Sequence, residues 1–353
     1  MGKGAIMKQF LGGFKTLALV ATFALVATGC GNESNPVGNN EESSAPVVVY
    51  SGRSEKLVSE LFVAFTAETG IEVDVRYGDS GEMAALILTE GSSSPASMFF
   101  SQDAGALGAV EDADLFATLP SEILSLVEPK YSSLSGSWVG TSGRARVVVY
   151  NPTLVNAPPA TIDDLLDPKW LGAIGYAPTN ASWQSFVTAL RLTRGEDAAR
   201  LWLQGFAAND PVAYEKNGAV RDAVNSGEVA LGLVNHYYLY EKIAAEGDTA
   251  VIAKNHYFTN GDIGGLVNVA GVGMLKSSKN QKSTLALINY LLSVVGQEYF
   301  AQKSFEYPLV SGIPQYGDLP TLAELNSPNI DLSDLRSIAE TQELLAEVGL
   351  LTK

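Results

Sequence analysis

Between residues 47 and 78 the chain reads VVVYSGRSEKLVSELFVAFTAETGIEVDVRYG, and the spacing of its apolar residues changes twice. Residues 47–50 are a β-branched run of the kind that fills a buried strand. After a small turn, Leu57, Leu61, Phe62 and Phe65 mark one face of a helix, and residues 71–77 then alternate as a second strand. Gly70 stands where a helix C-cap belongs, since a residue without Cβ takes the left-handed backbone at little cost. Strand, helix, strand is a βαβ unit. It implies a sheet with parallel strands and helices on its faces.

The same grammar recurs. Helices are expected at 84–90 and 104–112 around a short strand at 97–100, and RARVVVYN (144–151) reads as a buried strand. A short helix at 162–166 leads to DPKW, and a strand at 174–176 runs into PTNAS and a helix at 183–193. Helices at 198–209 and 220–226, a strand at 229–234, a strand at 268–275 and helices at 281–293 and 297–305 follow. No repeat period is visible. With 353 residues and 46% apolar composition, the chain exceeds what one hydrophobic core usually serves, so two α/β lobes with mostly parallel sheets are expected.

The first 29 residues stand apart. They carry three lysines and no acid, and the apolar run 17–27 is too short to span a bilayer as a mature helix. The run ends in ALVATGC, where small residues precede Cys30, the chain's single cysteine. This resembles a bacterial lipoprotein signal, which implies lipidation at Cys30 and excludes any intrachain disulfide. Residues 30–46 are rich in Asn, Ser, Glu and Gly and too polar to order themselves, so they read as a tether. An extracytoplasmic monomer, lipid-anchored to the cell membrane, is the expectation. The formal charge is −16, and removing the three signal lysines takes it to about −19. Such acidity argues against nucleic acid as a partner.

Chemistry gathers at VNHYYLYE, residues 234–241, which sets three tyrosines beside one of only two histidines. A phenolate is a hard anionic oxygen suited to a highly charged cation, and coordination can displace a proton that otherwise leaves near pH 10. Adjacent tyrosines in a regular strand would point to opposite faces, but at a strand-to-helix junction both can reach one ion. On residue type alone, aromatic packing with the hydroxyl at water accounts better for the cluster. An enzyme is not expected: His236 and His256 sit in no nucleophile elbow, zinc helix or phosphate loop.

VVVYSGRSE, FTAETGIEV, SSSPASMFFSQDAGALGAV, SGRARVVVYNP, DPKWLGAIGYAPT, KNGAVRDAVNSGEVALGLVNHYYLYEK and FEYPL follow one another in an order that resembles the bacterial ferric-ion-binding proteins. These are substrate-binding components of ABC importers with the two-lobed periplasmic binding protein fold. The resemblance implies residues 47–144 plus 265–320 in one lobe and 145–264 plus 321–353 in the other, with the ligand in a hinged cleft. It implies Tyr237 and Tyr238 as the paired iron ligands, and an ABC permease with its ATPase as partners. It implies a synergistic anion, carbonate or phosphate, at Asn180, Ala181 and Ser182, where a helix start exposes N–H groups, with Asn217, Asn235 and Arg144 contributing. Two departures stand out. Ser54 fills the slot of a ligating histidine and Gln102 that of an acid, with Asp103 one position away. Tyr50 and Arg53 are expected near the cleft mouth, Trp183 as a core or cleft-wall aromatic, and His236 as a hinge or surface hydrogen-bonding group. The rival reading is a binding protein for a small organic or inorganic anion, such as a phosphonate, sugar phosphate or carboxylate, without metal.

Overall fold

The longest strand, Trp138–Tyr150, belongs to two sheet regions at once. The computed structural model describes residues 45–351; the signal, Cys30 and the tether through residue 44 lie outside the described residues. The chain enters through β1 (Val47–Ser51), α1 (Glu55–Thr69), β2 (Val73–Tyr77), α2 (Ser80–Glu90), β3 (Met98–Ser101), α3 (Ala104–Asp112) and α4 (Ser121–Leu124). The long strand is β4. After it come β5 (Ile174–Tyr176), α5 (Ala181–Arg194), α6 (Glu196–Ala208), β6 (Val212–Ala213), α7 (Asn217–Ser226), β7 (Leu231–Asn235) and α8 (Tyr237–Glu246). The remainder is β8 (Lys254–His256), β9 (Val267–Met274), α9 (Gln281–Leu291), α10 (Val294–Lys303), β10 (Tyr307–Pro308), α11 (Leu322–Leu325) and α12 (Ile338–Glu347). Among the described residues, no helix is long and apolar enough to cross a membrane.

The strand order is β2-β1-β3-β9-β4-β7-β5-β6, with β8 and β10 also on β4. Parallel pairing is found in two wings, β2-β1-β3 and β7-β5-β6. The centre is antiparallel, because β4 and β9 run past one another in opposite directions between the wings. Residues 138–145 of β4 pair with β9, and residues 146–150 pair with β7. A single strand therefore feeds both regions. Its burial is nearly complete along its length, which fits a strand covered on both faces. Gly70 closes α1 in the left-handed conformation, φ 73°.

One assignment changes. The segment 321–353, expected with the second lobe, bridges the two parts. Helix α12 packs on α5, where Thr188 Oγ1 and Thr341 Oγ1 are 2.7 Å apart and Arg191 Nη1 donates to Ser337 O at 2.9 Å. Leu332–Arg336, in contrast, lies on α3. Gly105 and Gly108 make that approach possible: a Cβ on Gly108 would stand 2.4 Å from the Ser333 carbonyl oxygen. The obstructing atom is backbone and cannot rotate away. Gly108→Ala should therefore cost about 1–3 kcal/mol by overpacking, read from the urea midpoint. Gly81→Ala meets nothing within 4 Å and should leave that midpoint unchanged or raise it.

Candidate functional site

A cleft of about 860 Å³ opens where the strands of both wings end. Gly52 and Ser54 follow β1, Asp79 follows β2, and Gln102 and Asp103 follow β3. From the other wing come Thr179–Ala181 after β5, Glu215 after β6, and Tyr237, Tyr238 and Glu241 after β7. Carboxyl ends of parallel strands are where open α/β sheets hold ligands.

The tyrosine pair owes its position to an abrupt change of structure. Strand β7 (LGLVN) is wholly buried, and helix α8 begins two residues later at Tyr237. The two rings lie against each other, centroids 4.4 Å apart and 28° between planes. Burial, with Tyr238 adding to it and Arg144 opposing it, raises the Tyr237 pKa well above that of a free phenol. Both phenols are therefore reached from one cleft, and Tyr237 is protonated at neutral pH without a cation. Tyr240 faces away and packs on Phe305 and Tyr316.

His236 is spent on the backbone. Its Nδ1 accepts from Ala145 N–H at 3.2 Å, which leaves the proton on Nε2 to donate to Phe305 O at 2.8 Å. Burial lowers its pKa from 6.5 to about 4. The sign follows: the folded protein resists protonation that the unfolded chain accepts, so His236 contributes stability above pH 6.5 that is lost as pH falls toward 4. The shift corresponds to about 3 kcal/mol. His236→Asn keeps an acceptor and a donor but cannot titrate. Between pH 6.5 and 4.5, wild-type iron-free protein should lose more stability than this variant, measured by urea melts; parallel curves would refute the assignment.

The start of α5 is tightly tied. Asn180 Oδ1 accepts from Ser182 N–H at 3.0 Å and Ser182 Oγ at 2.7 Å. Among the described residues, the N–H of Ala181 has no partner and faces the cleft end of the helix. Behind it a small pocket is lined by Asp103, Arg144, Arg146, Ser182, Ser185 and Asn235. Arg144 donates through Nη2 to Gln102 O, and its Nε has no acceptor. Arg146 is buried, donates to Ser182 Oγ at 3.1 Å, and has its pKa lowered to about 10 by burial. Neither guanidinium has a carboxylate within 4 Å among the described residues. Two buried guanidiniums without an ion pair, facing the single carboxylate of Asp103 in this pocket, leave positive charge that an anion can meet.

Several expectations are corrected. Tyr50 is outside the cleft: its hydroxyl donates to Glu90 Oε1 at 3.0 Å, because strand alternation turns it away from the turn that follows. Arg53 is fully buried against Glu306. Asn217 lines neither cavity; its amide donates to Asn180 Oδ1 and Ser182 Oγ at 3.1 and 3.0 Å, so it braces the helix start from behind. Asp103 caps α3 by accepting from Ala106 N–H at 3.1 Å. Trp183 is a core residue among Tyr176, Phe186 and Phe206. Ser54 and Gln102 line the cleft and Asn235 the small pocket. Arg146 was absent from the sequence-based site, although its spacing of two from Arg144 puts both on one strand face. Among the described residues no group of three His, Cys, Asp or Glu could hold a metal, so any cation site here depends on the phenols.

The chain is similar to known proteins along most of its length. The chain is 34% identical over 348 residues to the Fe(3+)-binding periplasmic protein of Serratia marcescens, covering 98% of this chain and 100% of that one. Iron-bound HitA from Pseudomonas aeruginosa superposes with a TM-score of 0.81 at 34% identity, covering 86% of this chain and 99% of HitA. Trichodesmium IdiA (FutA), in complex with iron and citrate ligands, gives 0.78 at 28% identity over 87% of this chain and 100% of that one. The fold is thus the two-lobed α/β fold of periplasmic binding proteins. Residues 51–298, a span that takes in the tyrosine pair, the start of α5 and both antiparallel strands, match one sequence family, and the chain belongs to it: the bacterial extracellular solute-binding proteins.

Proposed function

We propose that this protein captures ferric iron in its interlobe cleft and hands it to an ABC permease driven by a partner ATPase. The observation that carries the reading is the stacked Tyr237–Tyr238 pair at the head of α8, both phenols lining one cleft. Two phenolates supply hard anionic oxygen to a hard cation. The relatives named above, one iron-binding by name and two with iron bound, support the same cargo. A synergistic anion, carbonate or phosphate, meets the free N–H of Ala181 and the positive charge of Arg144 and Arg146, with Asn180, Ser182 and Asn235 shaping its seat. The lobes are 47–144 with 265–320, and 145–264, hinged at β4 and β9. The protein works as an extracytoplasmic monomer held to the membrane by a lipid on Cys30. It catalyses no reaction and binds no nucleic acid.

Titration of iron-free protein with ferric salt plus bicarbonate or phosphate tests this. A visible phenolate-to-iron charge-transfer band saturating at one iron per chain is expected. The unpaired guanidiniums favour one alternative, an anion-binding protein without metal. A colourless mixture, together with a thermal shift from an organic anion alone, would establish that alternative.

A further inference from the structure

We propose that Glu241 is a third protein ligand of the ferric ion, completing with Tyr237 and Tyr238 a three-oxygen site carried by the first turns of α8. The inference rests on the iron reading above and specifies which protein groups hold the ion.

Helical spacing makes the first case. Glu241 follows Tyr237 by four residues and Tyr238 by three within one continuous helix. Side chains at those separations are neighbours on a helix surface, with Cβ atoms about 5–6 Å apart. All three line the same cleft.

The second observation is that Glu241 is unspent. It is half-buried, yet it makes no hydrogen bond or ion pair with any described residue. The nearby cation Arg221 is engaged elsewhere, donating to Tyr238 O at 2.8 Å and to Asp222 Oδ1 at 3.0 Å. The other acids at the cleft are either already engaged or differently placed. Asp79 closes the capping box of α2, and Asp103 caps α3. Glu215 is exposed on the loop before α7 and shares no helix with the tyrosines.

Charge makes the third case. Two phenolates leave a ferric ion with one net positive charge, and on the opposite wall Ser54 and Gln102 are neutral while Asp79 and Asp103 are committed to helix caps. One carboxylate on the tyrosine wall brings the sum to zero. It also explains how a chain lacking a ligating histidine and acid on the first lobe can still bind iron: the ligand set has moved to one side of the hinge.

The test compares Glu241→Gln and, as a control at the far end of α8 outside the cleft, Glu246→Gln with wild type in iron-loaded full-length protein. Iron retention is followed against citrate, and the charge-transfer band and ferric EPR signal are recorded. Glu241→Gln should lower the citrate concentration for half-removal more than tenfold, shift the band and alter the EPR signal, while Glu246→Gln changes none of these. A merely structural role would move the iron-free melting temperature and leave the EPR signal of residual bound iron unchanged, which would overturn the assignment. So would unchanged retention in Glu241→Gln when wild type shows its band. Absence of the band in wild type itself overturns the iron reading, and this inference with it.

Discussion

Tyr237→Phe combined with Tyr238→Phe should abolish the charge-transfer band and iron retention against citrate. Each substitution removes a single oxygen. The rings stack on each other at 4.4 Å, Tyr237 meets His236 edge-to-face at 5.9 Å, and phenylalanine preserves both contacts. The side-chain hydrogen bond described for these hydroxyls is the one between Tyr237 and Tyr238 themselves, so the iron-free melting temperature should stay within a few degrees of wild type. Loss of a residue that only orients a metal ligand typically costs 10–100-fold in affinity. Loss of the ligand atom itself should exceed that, roughly a hundredfold or more for each tyrosine. The single variants separate the two phenols. Tyr237 is the more buried, and burial raises its pKa above that of a free phenol, so iron must work against that burial to ionise it. A band that survives in the double variant would place the iron elsewhere and end the proposal.

Much of this site was legible because its elements announce themselves. LGLVN followed by HYYLYE switches from a short apolar strand to a helix, and that junction is what lets adjacent tyrosines converge. Helix α3 and strand β5 fall on their expected bounds, and Gly70 caps α1 as its position suggested. Elsewhere local signals were outvoted. Helix α2 starts four residues before its apolar pattern, at Ser80, because Asp79 and Glu82 form a capping box that a hydrophobic count does not register. Strand β4 reaches back to Trp138 through WVGTSG, where Gly, Ser and Thr dilute the apolar run; pairing with β9 holds it extended. The corrections at the site have one cause. Tyr50, Arg53 and Asn217 are polar residues near a cleft, and sequence proximity cannot tell a side chain that faces a ligand from one that braces the wall behind it. Glu90, Glu306 and Asn180, their partners, lie 40, 253 and 37 residues away.

Glu306→Ala should cost about 3–5 kcal/mol of stability, the loss expected when one member of a buried ion pair is left alone. Arg53 Nη1 and Nη2 meet Glu306 Oε1 and Oε2 at 2.8 and 3.0 Å, a two-pronged contact between side chains that are 0% and 1% exposed. Ser142 Oγ donates to the same carboxylate from β4, where Ser142 pairs with Pro308 of β10. Burial alone would raise the pKa of Glu306, but Arg53 beside it outweighs that and holds it low. A depressed carboxylate contributes stability that is present above the ordinary carboxylate range and lost as pH falls through the folded value. Glu306→Gln, with its shape kept and its charge removed, should therefore lose nearly as much at neutral pH as Glu306→Ala and show a flatter acid limb. The decisive variant is the double replacement Arg53→Met with Glu306→Leu. If the pair is a device for holding the β1 turn, β4 and the chain before β10 in one geometry, replacing both charges by apolar groups should restore most of the stability, apart from about 1–3 kcal/mol for the orphaned Ser142 hydroxyl. Iron retention would then report whether the geometry needs charge or only bulk: restored stability with weakened retention would assign the pair to the alignment of the cleft walls. Equal recovery of both would make it a packing element.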